Sequence, residues 1–314
     1  MKLHRIMVAT KPWERGLPLA ATHARQLAAD ARIELVSTVF DAAIGAGCDR
    51  GEEPARQTHQ RTIAAARVEL ERVAGSMRTW GATVTTRIVW GTPPYEAILA
   101  AAEEWHADLL VVGAHERATL HSRLTDTDWQ LMRRARCPLL LVKNGWFNGY
   151  RTILAAVDPL HAHDEPFGLD QAVLAEGRCF ARVFGSKLRA VYAYPGNAAF
   201  ALASAVEVTP GVLYGSENIE ELHRRAVTEL VAQFGVCPGE IDLVEGSAPQ
   251  AIADAAMECR AELVVVGATQ RRGPSALAHG STAELIAAEV PCDVLIVPLP
   301  DDTRVETGPR SKVG

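Results

Sequence analysis

Residues 107–115, reading Ala-Asp-Leu-Leu-Val-Val-Gly-Ala-His, return at 261–269 as Ala-Glu-Leu-Val-Val-Val-Gly-Ala-Thr. The same periodic apolar face precedes each run: Ile98, Ala101, Ala102 and Trp105 in the first, Ile252, Ala255, Ala256 and Cys259 in the second. Spacings of three, four and seven put each set on one side of a helix, so each stretch reads as a helix feeding a buried strand. A glycine turn, Gly91-Thr92-Pro93-Pro94 or Gly246-Ser247-Ala248-Pro249, stands ahead of each helix. A chain written twice builds two copies of one unit. Each functional position in one copy can then be judged against its counterpart in the other.

The 314 residues give each copy enough chain for a core of its own, and 48% hydrophobic with 22% charged residues is an ordinary globular composition. A formal charge of −6 offers no electrostatic basis for binding nucleic acid or an anionic membrane surface. The longest apolar runs are strand length, short of the ~20 residues of a membrane-spanning helix, and residues 1–10 lack a signal-peptide core. The expectation is a cytoplasmic protein without membrane insertion. The six cysteines, Cys48, Cys137, Cys179, Cys237, Cys259 and Cys292, form no C-x-x-C pair, which suits reduced thiols better than a disulfide framework or a zinc knuckle. Cys137 and Cys292, each just before the last strand of its copy, read as small buried apolar residues.

In the first copy, residues 4–10, 33–40, 83–90, 108–112 and 139–142 read as strands, with helices at 17–31, 54–74, 94–106 and around 129–135. The second copy repeats the series from 152–158 through 295–297. Near-continuous Val/Ile/Leu strands alternating with amphipathic helices mean a parallel sheet covered on both faces. The expected fold is α/β, two tandem doubly wound domains, 1–147 and 148–300, with a seam near Asn144-Gly145 and a polar tail at 301–314. One segment breaks the symmetry. Residues 194–206 of the second copy are apolar where the first has the more polar 41–54, and they read either as a cover over the domain interface or as the wall of a ligand cavity.

After its fourth strand the second copy reads Gly267-Ala268-Thr269-Gln270-Arg271-Arg272-Gly273, continues to His279, and gives Gly280-Ser281-Thr282 at a helix start. Glycine lets backbone approach a ligand closely, and a helix N-terminus offers unpaired N–H donors to an anion. Ser281 and Thr282 add hydroxyls, Arg271 and Arg272 add charge, and Asp158, taken as the end of the first strand, faces the same crevice as Gly267 if the order is 3-2-1-4-5. These residues also admit a plainer account, in which Ser281 and Glu284 form a capping box and Asp158-Pro159 opens a turn.

Gly267, two residues, Gln270, nine residues and Gly280-Ser281 resemble the ATP-binding pattern of universal stress proteins, and Val157-Asp158 resembles that family's first-strand motif. With the duplication, Thr127-Asp128-Trp129 and Cys137-Pro138, residues 3 to 299 look like the tandem, E-type members. The resemblance implies two five-stranded flavodoxin-like sheets paired as a pseudo-dimer. It also implies an adenine-nucleotide site, for ATP or ADP with Mg²⁺, at Asp158, Gly267, Gln270, Arg271, Gly280, Ser281 and Thr282. Gln270 replaces a family glycine.

The first copy has Thr125-Asp126-Thr127 where the second has Gly280-Ser281-Thr282. Asp126 is expected to cap its helix and repel a phosphate, and Thr10 is aligned with Asp158, so this copy reads as a degenerate, structural half. Its task is expected to be pairing, because the apolar edges 139–142 and 294–297 need cover. A further homodimer is compatible with this. His161-Ala162-His163-Asp164 has short metal-ligand spacing, although a lone H-x-H loop usually holds no zinc. His23, His106 and His223 are expected at solvent-facing or helix-end positions, and Arg133, Arg134 and Arg136 as partners of a helix dipole. The expected function is a nucleotide-responsive stress regulator acting on a signalling protein. The alternatives are a slow ATPase and a scaffold or hydrophobic-ligand module in which Gln270 has closed the phosphate site.

Overall fold

The computed structural model describes residues 3–11, 13, 17–27, 31–114, 124–143, 147–160, 168–194, 219–268 and 282–299. The first half runs β1 (Arg5–Thr10), α1 (Leu19–Leu27), β2 (Arg32–Val39), α2 (Ala42–Asp49), α3 (Glu53–Arg78), β3 (Thr83–Trp90), α4 (Pro94–Trp105), β4 (Leu109–Gly113), α5 (Asp126–Arg134) and β5 (Leu139–Val142). The second runs β6 (Thr152–Ala156), α6 (Leu169–Phe184), β7 (Lys187–Tyr194), α7 (Ile219–Ala232), β8 (Ile241–Glu245), α8 (Ala248–Glu258), β9 (Leu263–Ala268), α9 (Thr282–Glu289) and β10 (Asp293–Pro298). β3 and β5 have the bounds read from sequence. α2 is an addition to that reading: Asp41 caps it, accepting from the N–H groups of Ala43 at 2.9 Å and Ile44 at 3.0 Å. The duplication reaches backbone detail, since His106 and Arg260 both take the left-handed conformation, φ 52°, after the equivalent helices α4 and α8.

The strands form one sheet in the order β3-β2-β1-β4-β5-β10-β9-β6-β7-β8. Each half is therefore a parallel 3-2-1-4-5 unit, and the two meet edge to edge. The junction is antiparallel, pairing Val294 with Leu141, Leu295 with Leu140 and Ile296 with Leu139. Leu140 and Leu295 hold equivalent positions in the two copies, because Leu110 pairs with Leu139 as Val264 pairs with Val294. An approximate two-fold axis thus passes between them, as in an isologous dimer. Pairing removes two edges that would otherwise expose unpaired backbone. On each face of the sheet one apolar core runs through both halves.

A buried polar cluster backs this junction. Asp293, 1% exposed, opens β10 and accepts from the Lys143 N–H at 2.8 Å and the Tyr150 hydroxyl at 2.8 Å. His23 of α1 is fully buried; its Nδ1 lies 2.9 Å from the Leu19 carbonyl, its Nε2 lies 3.0 Å from Asp293 Oδ2, and its ring stacks on Phe147. Lys143 Nζ donates to the carbonyls of Ala287 and Val290. Burial, then the neighbouring Asp293 charge, hold the Tyr150 hydroxyl protonated far above its ordinary range. His23 is thus a bridge between the halves rather than a solvent-facing residue. Among the described residues no helix is long and apolar enough to cross a membrane.

Candidate functional site

β6 ends at Ala156, two residues earlier than the sequence suggested, and Asp158 follows it on a short segment held by the Val157 N–H donating to Val191 at 3.0 Å. The Asp158 N–H donates to Asp170 Oδ1 at 2.9 Å, so the first turn of α6 fixes where this residue sits. Asp158 is 7% exposed. It lines a cleft with Val266 and Gly267 of β9 and with Thr282, Ala283 and Ile286 of α9. The cleft lies between the first and fourth strands of the second half, at their carboxyl ends, which is the switch point of a doubly wound sheet. Its walls are largely apolar, with one carboxylate able to accept from hydroxyls and one helix start able to face an anion. Gln270, Arg271, Gly280 and Ser281 lie outside the described residues, as do His161, His163 and residues 195–206.

Gly267 has a packing reason of its own. A Cβ there would meet Leu169 Cδ2 and Cγ at 2.6 Å, so the missing side chain lets α6 seat against β9. At the equivalent Gly113 an added Cβ would meet no atom of the described residues within 4 Å. Gly267→Ala is expected to destabilise the chain by about 1–3 kcal/mol in urea unfolding, while Gly113→Ala stays within about 0.5 kcal/mol. Equal midpoints for the two variants would sink this account.

The first half carries different side chains at the equivalent positions. Pairing of Ile6 with Leu109, set beside Ile153 with Leu263, makes Lys11 and not Thr10 the counterpart of Asp158. The cap of α5 is Thr125 and not Asp126: the Thr125 N–H and hydroxyl donate to Asp128 Oδ2 at 2.8 and 2.9 Å, and the Asp128 N–H donates back at 3.3 Å. Burial raises the Asp128 carboxyl pKa, against the Thr125 hydrogen bonds and the Lys11 charge, which lower it. In the second half the counterpart of Asp128 is Ala283, a wall of the cleft.

Other expectations change with the tertiary contacts. His223 of α7 is buried, its Nδ1 2.7 Å from the Tyr192 hydroxyl; burial lowers its pKa and the Asp158 charge opposes that. His106 is an exposed helix end, as read from sequence. Arg133 pairs with Glu284, Arg134 lies over the Tyr95 ring and Arg136 pairs with Glu103, so these arginines have side-chain partners beyond a helix dipole. The six cysteines are free thiols, and burial pushes Cys137 up to about 11 and Cys292 up to about 12, away from nucleophilic chemistry. Among the described residues no cluster of metal-ligating side chains occurs.

Two parallel 3-2-1-4-5 units fused along their fifth strands, with a cleft at the switch point of the second, define a tandem, flavodoxin-like α/β protein. The family model of the universal stress proteins matches residues 2–143 and again 149–298, and the chain belongs to that family. Universal stress protein E of Escherichia coli (strain K12) is 29% identical over 224 residues, 69% of each chain. The universal stress protein E homolog of Haemophilus influenzae is 26% identical over 267 residues, 84% of this chain and 85% of its own. Among solved structures, a protein of unknown function from Pseudomonas aeruginosa PAO1 superposes with a TM-score of 0.69 at 22% identity, covering 96% of this chain and 94% of its own. A universal stress protein from Archaeoglobus fulgidus gives 0.61 at 14%, covering 95% and 97%. At these identities the superpositions establish the fold.

Proposed function

We propose that the chain is a stress-response regulator that binds one adenine nucleotide, ATP or ADP with Mg²⁺, in the cleft of its second half. The observation that carries this reading is the meeting of Asp158, Gly267 and Thr282, distant in sequence, on one cleft at the carboxyl ends of β6 and β9. The carboxylate suits ribose hydroxyls, the apolar walls suit a base, and the start of α9 suits phosphates. The remaining candidates, Gln270, Arg271, Gly280 and Ser281, join this site by sequence alone. Mg²⁺ enters with the phosphates, since few carboxylates face the cleft. In this reading the N-terminal unit is structural, and the occupied site is sensed by a signalling protein in the cytoplasm. No described residue in the cleft is positioned as a general base beyond Asp158, which is assigned to the nucleoside, so regulation is preferred to hydrolysis.

Calorimetric titration of the full chain with Mg-ATP tests the proposal. The expected result is saturable binding near one nucleotide per chain. Two sites per chain would return the first half to function, and no heat at millimolar nucleotide would overturn the reading.

A further inference from the structure

The helix that borders the cleft has a second face. Thr282, Ala283 and Ile286 look into the cleft, whereas Glu284 and Leu285 line a separate open groove on the boundary with the first half, where Trp129, Arg133 and Asp126 also stand. Glu284 is the third residue of α9 and is 3% exposed. It is a buried carboxylate in the first turn, where the positive end of the helix dipole lies. Such a charge opposes any anion drawn to the same turn.

The first half supplies the compensation. Arg133 Nε donates to Glu284 Oε1 at 2.7 Å and Nη2 donates to Oε2 at 2.8 Å, a two-pronged contact across 151 residues of sequence. Planar guanidinium matches carboxylate in this geometry better than a lysine can. The register that makes Leu140 equivalent to Leu295 makes Arg133 equivalent to Ala288 and Glu284 equivalent to Trp129. Neither charge has a counterpart at the equivalent position of the other half, so the repeated pattern does not supply this pair a second time.

We infer that Arg133 is a positioning residue for the second half's anion site: by neutralising Glu284 across the seam it keeps the start of α9 receptive to a nucleotide phosphate. The inference rests on the nucleotide reading above and gives the first half a part in a site it does not itself contain.

The test compares Mg-ATP and adenosine binding by the full-length parent, Arg133→Met, and Arg133→Met combined with Glu284→Gln, each checked for a cooperative melt. Arg133→Met is expected to weaken Mg-ATP on the order of tenfold, as a carboxylate that has lost its guanidinium partner near a triphosphate would, and to leave adenosine unchanged. The double variant, which removes both charges and keeps the fold if the single one loses it, is expected to recover the parent's Mg-ATP affinity. Parental Mg-ATP affinity in Arg133→Met, an equal loss for adenosine, or no recovery in the double variant would overturn the inference while leaving the site in place. A parent that binds no Mg-ATP overturns the nucleotide reading and this one with it.

Discussion

Asp293→Ala is expected to lower the stability of the whole chain by about 3–5 kcal/mol, the scale seen when a buried charge network loses one partner. The reason is the number of groups that converge on this carboxylate. Removing it strands the Lys143 N–H and the Tyr150 hydroxyl, each bonded to it at 2.8 Å, and takes the anion away from His23 Nε2 at 3.0 Å. Each stranded buried group costs about 1–3 kcal/mol, because no water replaces the lost acceptor. The damage also reaches both units: His23 belongs to α1 of the first, Asp293 opens the strand that pairs with β5, and Tyr150 lies on the connection between them. Tyr150→Phe removes one donor and is expected to cost about 1–2 kcal/mol. Urea unfolding monitored by tryptophan fluorescence and by circular dichroism measures both, and an Asp293→Ala midpoint within about 1 kcal/mol of the parent would refute the role given to the cluster.

The largest functional effect is expected from Ala283→Asp, which puts into the second half the carboxylate that the first half carries as Asp128. Ala283 is a wall of the cleft and belongs to the first turn of α9. A carboxylate there faces the approaching phosphates at close range and also takes the helix-end donors, as Asp128 does when it pairs with Thr125. Repulsion of this kind amounts to a loss of roughly a hundredfold in Mg-ATP affinity, with Ala283→Ser, nearly equal in size but uncharged, staying close to the parent. Calorimetry on the two variants decides. If Ala283→Asp binds Mg-ATP like the parent, the phosphates do not meet α9, and the cleft needs another occupant.

The contrast between the two halves is partly legible in the order of amino acids. The loss of Gly280 and Ser281 counterparts at Thr125 and Asp126 is plain there, and so is Gly267 near the end of its strand. The details that make the contrast chemical are not. Thr10 and Lys11 are adjacent, and in an apolar strand a one-residue slip changes little in the pattern; only the pairing of Ile6 with Leu109 fixes the register and brings a lysine to the position equivalent to Asp158. Asp126 and Thr125 compete for one cap, and the winner depends on backbone angles at the helix entry. Likewise Gly267 invites a ligand explanation, whereas its near neighbour is Leu169, almost a hundred residues earlier.

Local order is most legible where strong local signals agree. β3 is rich in β-branched residues and β5 is a short aliphatic run, each bounded by turn residues, and their ends are fixed within the sequence itself. α2 is hidden because its short, alanine-rich and glycine-containing run has no clear helical face, although Asp41 is present to cap it. His23 and His223 sit on helices with correct amphipathic spacing, yet both are buried against partners supplied from elsewhere: Asp293 and Phe147 for the first, Tyr192 for the second.

The sequence by itself determined the duplication, the alternation of strand and helix, and the presence of two apolar edge strands that had to be covered, because hydrophobic periodicity records which face of each element leaves water. The tertiary structure alone decided what each face meets. The joining of β5 to β10, the Asp293 cluster, the grip of Arg133 on Glu284 and the alignment of Lys11 with Asp158 all depend on groups far apart in the chain. A polar side chain's partner is set by geometry and the cost of burying it unpaired, and a linear pattern carries neither.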